Sequence, residues 1–317
     1  MSPLDYANRY WSLQVVTGEG ANPPVRTVKI HHYRLVNMTN GADPSLPAKD
    51  NLVSAAKKQF LKDGGVTVLV IPSYNLSLRQ TVQFLDWGPF GASLLRPFIG
   101  KGSPEEVQVV LQLAIRYGLA TEANLQKYAD DSKIGLDCNG FVGNYLRQLK
   151  DGDEKWIARS SDTFSGSSRI RDILQHAGRR IRRLEDVTFD GMYMMGLVDG
   201  SGEVVNTSAP AGHITVSQPF TVGSTVVPDV SDTFAGVPVV GGPLQATTAL
   251  FYGAAVAMSR AVPGARPTLK VVESTAANDN GLVSSTYTLL SVNHGGVFTV
   301  ERGLGMGRLK VQIFRKS

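Results

Sequence analysis

The stretch Gly135-Leu136-Asp137-Cys138-Asn139-Gly140-Phe141-Val142-Gly143-Asn144-Tyr145-Leu146-Arg147-Gln148-Leu149 decides how the rest of the chain is read. Asp137 is of a residue type that caps helices, because its short carboxylate can accept first-turn N–H groups. Beyond it Phe141, Val142, Tyr145, Leu146 and Leu149 recur at helical spacing, so a helix opens at Cys138 and turns an apolar face inward. A thiol gains most at that position, since the partial positive charge of a helix N-terminus favours thiolate over thiol. The first-turn N–H groups can also point at a developing oxyanion. Gly140 permits close approach of substrate or of a neighbouring strand. A free cysteine is ordinarily a small buried hydrophobe, and only the helix-start position singles this one out.

Cys138 is the 1 cysteine in 317 residues, which excludes an internal disulfide and every cysteine-based zinc or iron–sulfur site. With 42% hydrophobic and 19% charged residues, the composition excludes collagen-like, coiled-coil and largely disordered chains. A net charge of +5 and a pI near 9.2 permit an anionic partner without requiring one. The opening MSPLDYANRYWSLQVV has no apolar run behind a basic stretch, so the expectation is a chain cytoplasmic as synthesised, or exported without a cleaved signal. Residues 233–259 are uncharged but carry Pro238, Pro243, Gly236, Gly241, Gly242 and Gly253, so no membrane span is expected.

A thiolate nucleophile needs an imidazole to take its proton and return it to the leaving amine. His31 and His32 are adjacent in a strand-like stretch and point to opposite faces. His176 falls in an arginine-rich helical stretch, and His294 sits in a glycine turn. His213 opens the alternating stretch HITVSQ, where a strand's first residue can project toward a facing helix, and it is the preferred base. A third group should orient the imidazole. Glu273, alternating with Val271 in LKVVES, is the first choice, and Asn293, Gln218 and Ser217 remain rivals.

The surroundings place these residues in an α+β architecture. Thr27 to Val36 and Val66 to Ile71 read as strands in a leading mixed segment, 1–102. Ser103-Pro104-Glu105-Glu106 then forms a capping-box helix start, and Gly118 ends that helix. Thr121 starts a second helix, TEANLQKYADD, and 169–184 reads as a third, with Ile170, Ile173, Leu174, Ala177, Ile181 and Leu184 on one face and six arginines on the other. Strand patterns follow in MYMMGLV, HITVSQ, LKVVES, STYTLLSV, VFTVER and LKVQIF, which argues for an antiparallel sheet. Residues 219–268 look like a long insertion, expected as a surface excursion from the 103–317 domain.

Together these residues resemble the papain-like cysteine amidases and peptidases of the NlpC and CHAP type. Asp137-Cys138-Asn139-Gly140-Phe141-Val142 is similar to that family's D-C-S-G-F/L-V helix start, with Asn139 in place of the serine. Gly212-His213-Ile214 is similar to its G-H-[VI] strand, and Glu273 to the glutamate that CHAP-type members use as third residue. The spacing from His213 to Glu273 is far longer than the family's and implies an insertion beside the cleft. Tyr128 is the expected match for a tyrosine that borders the family's site.

The resemblance implies a papain-like domain whose antiparallel sheet packs against the cysteine helix. It also implies acyl transfer by Cys138, His213 and Glu273, with Tyr128, Asp137 and Asn139 lining the oxyanion or substrate side. Family substrates are mostly amide bonds in cell-wall stem peptides, and the chemistry uses no metal or organic cofactor. A peptide substrate is therefore the expected partner, with no nucleic acid: no basic–aromatic motif or zinc pattern is present, and the glycines of 303–307 precede a strand rather than a helix. The alternatives are a binding protein on the same scaffold without turnover, a protein-directed peptidase and an acyltransferase.

Overall fold

A computed structural model describes residues 1–18, 23–34, 46–72, 79–151, 170–188, 190–205, 212–219, 266–276 and 281–316. Ser2-Pro3-Leu4-Asp5 opens α1 (Pro3–Trp11): Ser2 accepts the Asp5 N–H, Asp5 reaches back to the Ser2 N–H, and proline occupies the first turn, where it forfeits no bond. A hairpin of β1 (Leu13–Val16) and β2 (Val25–Val28) follows, then α2 (Leu46–Lys62), the antiparallel pair β3 (Thr67–Pro72) and β4 (Arg79–Phe84), and α3 (Trp87–Leu95). The strand expected over 27–36 stops at Val28. Beyond it the backbone stays extended and is held by other partners: Tyr33 bridges Leu136 in parallel, and Leu282 donates its N–H to the His31 carbonyl at 2.8 Å.

The capping box at Ser103 and Glu106 opens α4 (Pro104–Arg116), followed by α5 (Leu125–Asp131) and the cysteine helix α6 (Cys138–Asp151). The helix expected over 169–184 is shorter. α7 (Ile170–Ala177) ends where Gly178 adopts φ 136°, a backbone state closed to other residues, and the chain continues as β5 (Gly178–Ile181). Arg179, Arg180, Arg182 and Arg183 therefore lie on and just after a strand rather than on a helix face.

Six further strands complete the second half: β6 (Tyr193–Leu197), β7 (Ile214–Ser217), β8 (Thr268–Thr275), β9 (Gly281–Val292), β10 (Phe298–Arg302) and β11 (Gly307–Lys316). They pair antiparallel in chain order, and β11 pairs back with β6 while still bonded to β10, so the sheet closes into a six-stranded barrel with β5 appended to β11. The mixed helix-and-strand class with an antiparallel sheet is as the strand patterns suggest. Most of the long connection between β7 and β8, residues 220–265, lies outside the described residues.

Strand alternation sorts the barrel's side chains into two cores. Tyr193, Met195, Leu269, Val271, Tyr287, Leu289, Phe298, Val300, Val311 and Ile313 fill the interior. Ile214, Val216 and Val272 face outward, into a larger core with Phe141, Val142, Tyr145 and Leu146 of α6, so the cysteine helix lies across β7 and β8. That larger core does not stop at residue 102: Tyr6 and Tyr10 of α1 are in ring contact with Phe141 at 5.8 and 6.4 Å. Arg9 forms a buried ion pair with Glu105, and the Tyr10 hydroxyl donates to the Gly102 carbonyl at 3.0 Å. No helix among the described residues is long and apolar enough to cross a membrane.

Candidate active site

The site is assembled where α6 begins against the start of β7. Asp137 caps the helix as its residue type suggests: Oδ1 accepts the Gly140 N–H at 2.6 Å. The Asp137 N–H is in turn held by the Gly100 carbonyl at 3.0 Å. That same carbonyl explains Gly140, since a Cβ there would stand 2.0 Å from it. The Lys101 ammonium bonds both Asp137 Oδ2 and Asn139 Oδ1, tying the first turn of α6 to the residues before α4. Burial pushes the Asp137 carboxyl up to about 6, against the downward pull of Lys101 and of the Gly140 N–H. At neutral pH it is therefore ionised and paired.

Cys138 is 4% exposed, and its Sγ donates to the Gly212 carbonyl at 3.7 Å, which places the sulfur beside the residue that precedes His213. His213 Nε2 lies 2.6 Å from Glu273 Oε2, which leaves Nδ1 for the sulfur. Burial pulls the imidazolium pKa down. The Cys138 sulfur and the Glu273 carboxylate outweigh that, each by hydrogen bonding and by charge, and raise it to about 9. His213 is therefore held as the imidazolium at neutral pH.

Glu273 is fully buried, because it shares the inward-facing parity of Leu269 and Val271 on β8. An unpaired carboxylate there would be costly, and the barrel supplies it with donors. Ser285 Oγ donates to Oε1 at 2.7 Å and the Tyr287 hydroxyl to Oε2 at 2.9 Å, while Arg302 Nη1 stands 3.8 Å from Oε2. Burial pushes the Glu273 pKa up, but the bonds from His213, Ser285 and Tyr287 hold it below the usual carboxylate value. The pairing of β7 with β8, with Val216 opposite Val272, thus brings His213 and Glu273 together, whatever separates them in sequence.

Asp137 and Asn139 stand beside Cys138 as the sequence places them. Tyr128 is elsewhere: it lies on α5, packed against the main core, and no described contact joins it to Cys138. The phenol beside the thiol is that of Tyr33, whose pKa is raised first by burial and then by the negative charge of Cys138 and Asp137. The parallel bridge from Tyr33 to Leu136 brings it there, a contact between distant segments that leaves no local sequence signal. Ser285 and Tyr287 had a fainter one, as polar residues two apart on one face of STYTLLSV. Of the other histidines, His32 bonds Asp130 at 3.0 Å and His294 is exposed in a turn. Among the described residues, no group of three His, Cys, Asp or Glu side chains could hold a metal ion. With the geometry in view, comparison of the chain with protein families, with curated proteins and with solved structures finds no match.

Proposed function

We propose that the chain is a cysteine-dependent amidase or peptidase with a papain-like 103–317 domain, acting through Cys138, His213 and Glu273. One observation carries the reading: a thiol at a helix start faces an imidazole whose far nitrogen is bonded, at 2.6 Å, to a fully buried carboxylate. A purely structural cysteine has no use for a buried acid that sustains the charge of its neighbour.

In the proposed reaction the Cys138 thiolate attacks an amide carbonyl and the C–N bond breaks. His213 gives its Nδ1 proton to the departing amine, leaving a thioester. His213 then takes a proton from water, the hydroxide equivalent displaces the sulfur as thiolate, and the carboxylic acid leaves behind the starting pair of thiolate and imidazolium. The Cys138 N–H, in the first helical turn and so without an intrahelical acceptor, supports the oxyanion. Tyr33 borders the same side. The resemblance of the Asp137–Val142 and Gly212–Ile214 elements to NlpC- and CHAP-type enzymes supports cell-wall stem peptides as substrates, with no metal or organic cofactor.

The test is the pH dependence of Cys138 alkylation by iodoacetamide, in wild type and in His213→Ala. His213 keeps its proton up to about 9 and so can support a Cys138 thiolate across neutral pH. Rapid labelling at pH 6 that disappears in the variant is therefore the expected result. Labelling of wild type only above about pH 8, as for an unperturbed thiol, would leave a scaffold without chemistry. Cys138→Ala and His213→Ala should each abolish hydrolysis of stem-peptide substrates without unfolding the protein, and residual wild-type rates in either would remove the mechanism.

A further inference from the structure

On the flank of the barrel β9 runs past β8 with one edge only partly used. Along a strand, successive residues aim their backbone N–H and C=O groups to alternate sides. Leu289 donates its N–H toward the β8 side, to the Pro267 carbonyl at 2.8 Å, so Leu282, Ser284, Thr286 and Thr288 face the opposite side. On that side Thr286 accepts the Gly303 N–H at 2.7 Å at the near end of β10. Leu282 donates to the His31 carbonyl and accepts from Trp11 Nε1 at 3.2 Å. Ser284 lies between these two anchors. Among the described residues its N–H and C=O have no partner.

They open into a groove of about 490 Å³ lined by Trp11, Lys29, His31, Leu282–Ser284 and Leu304. Lys29 is exposed, and its backbone is fixed by Gln126, which accepts its N–H at 2.8 Å and donates to its carbonyl at 3.1 Å. Burial and the charges of His32 and Lys29 keep His31 below its usual pKa, hence neutral at pH 7. Among the described residues no carboxylate lines the groove, and its charge there is that of Lys29. Leu304 overhangs it, 58% exposed, at φ 58° in the tight 303–306 turn that joins β10 to β11. The chain on either side of the groove leads to residues of the candidate site. Tyr33 follows His31 along one wall, and Val283 on the other pairs with Glu273.

We infer that this groove is a substrate subsite that binds one residue of an extended, acidic peptide segment, its backbone paired with the Ser284 N–H and C=O and its carboxylate on Lys29. The inference rests on the amide-hydrolase reading above, which it deepens by naming the character of the peptide. A single open residue between two closed ones suits a short segment and excludes a long added strand.

The test uses full-length Cys138→Ala protein, so that binding is read without turnover, and two capped tripeptides, acetyl-Val-Glu-Val-amide and acetyl-Val-Lys-Val-amide, titrated by calorimetry. The glutamate peptide is expected to bind about fivefold more tightly than the lysine peptide, the range of a part-exposed charge pair. Lys29→Glu should reverse that order. N-methylation of the central peptide nitrogen should weaken binding about fivefold, the loss of one neutral hydrogen bond, and binding should slow hydrogen exchange at the Ser284 amide. No binding, equal affinity for the two peptides, or indifference to N-methylation would each overturn the proposal. Cys138 alkylation reports separately on the hydrolase reading. Peptide binding as described in a protein whose thiol reacts like a free one would keep the groove and discard the chemistry.

Discussion

At the scale of single residues, the site works by satisfying a charge in a place that should not hold one. Glu273 is ionised inside a barrel because Ser285, Tyr287 and His213 bond to it, and His213 holds its proton because Glu273 and Cys138 sit at its two nitrogens. Tyr287→Phe removes one donor without changing the shape of the ring. The variant is expected to lose about 1–3 kcal/mol of stability, the cost of an unmet buried acceptor, read by urea unfolding. The Glu273 pKa should rise at the same time, so the lower edge of the pH–rate profile should move upward. An unchanged profile would mean that Tyr287 does not act through the carboxylate. The sequence showed Cys138, His213 and Glu273 because each stands in a local pattern, a cap followed by helical spacing for the first and strand alternation for the others. Tyr33 could not be read the same way. What makes it a neighbour of the thiol is a bridge across about a hundred residues, whereas Tyr128 is suggested by the resemblance, as the match for a tyrosine that borders the family's site upstream of its cysteine.

At the scale of elements, the start of α6 is a junction of three segments, and its glycine is where they touch. Gly140→Ala would drive a Cβ to 2.0 Å from the Gly100 carbonyl, a backbone atom that cannot swing aside. A loss of about 3 kcal/mol is expected, at the upper end for overpacking, together with slower alkylation of Cys138 as the first turn is displaced. Retention of both wild-type stability and wild-type alkylation would show that the 100–102 segment yields freely. Other elements teach where periodicity misleads. Ile173, Ala177 and Ile181 fall at helical spacing, and nothing in that spacing reveals that Ile181 instead pairs with Ile313 across two strands. The signal was Gly178, which reads as permissive inside a helix pattern and turns out to end it. The capping box at Ser103 was legible for the opposite reason, since both of its bonds are made within four residues.

At the scale of the whole molecule, the leading segment shares one core with the segments that carry the candidate site. The core under α6 includes Tyr6 and Tyr10, and the buried Arg9–Glu105 pair links α1 to α4 across the boundary expected at 102. Burial pushes the Glu105 carboxyl up, but Arg9 and its other partners hold it below the usual value. Its stabilising contribution is therefore present above about pH 4.5 and fades as pH falls. Arg9→Met would leave that carboxylate buried without its cation. It should cost about 3–5 kcal/mol, in a single transition seen alike by fluorescence and circular dichroism. Two separate transitions would instead mark 1–102 as an independent unit.

Closing a sheet into a barrel disposes of nearly all its unpaired backbone, and what remains is worth locating. Among the described residues β5 is the outermost strand and pairs with β11 alone, so one row of its amides and carbonyls faces away from the sheet. That strand reads Gly178-Arg179-Arg180-Ile181 and is followed by Arg182 and Arg183. A second copy of the chain approaching this edge meets four like charges before it can form a hydrogen bond. The arginines thus work as a guard against edge-to-edge aggregation along this strand.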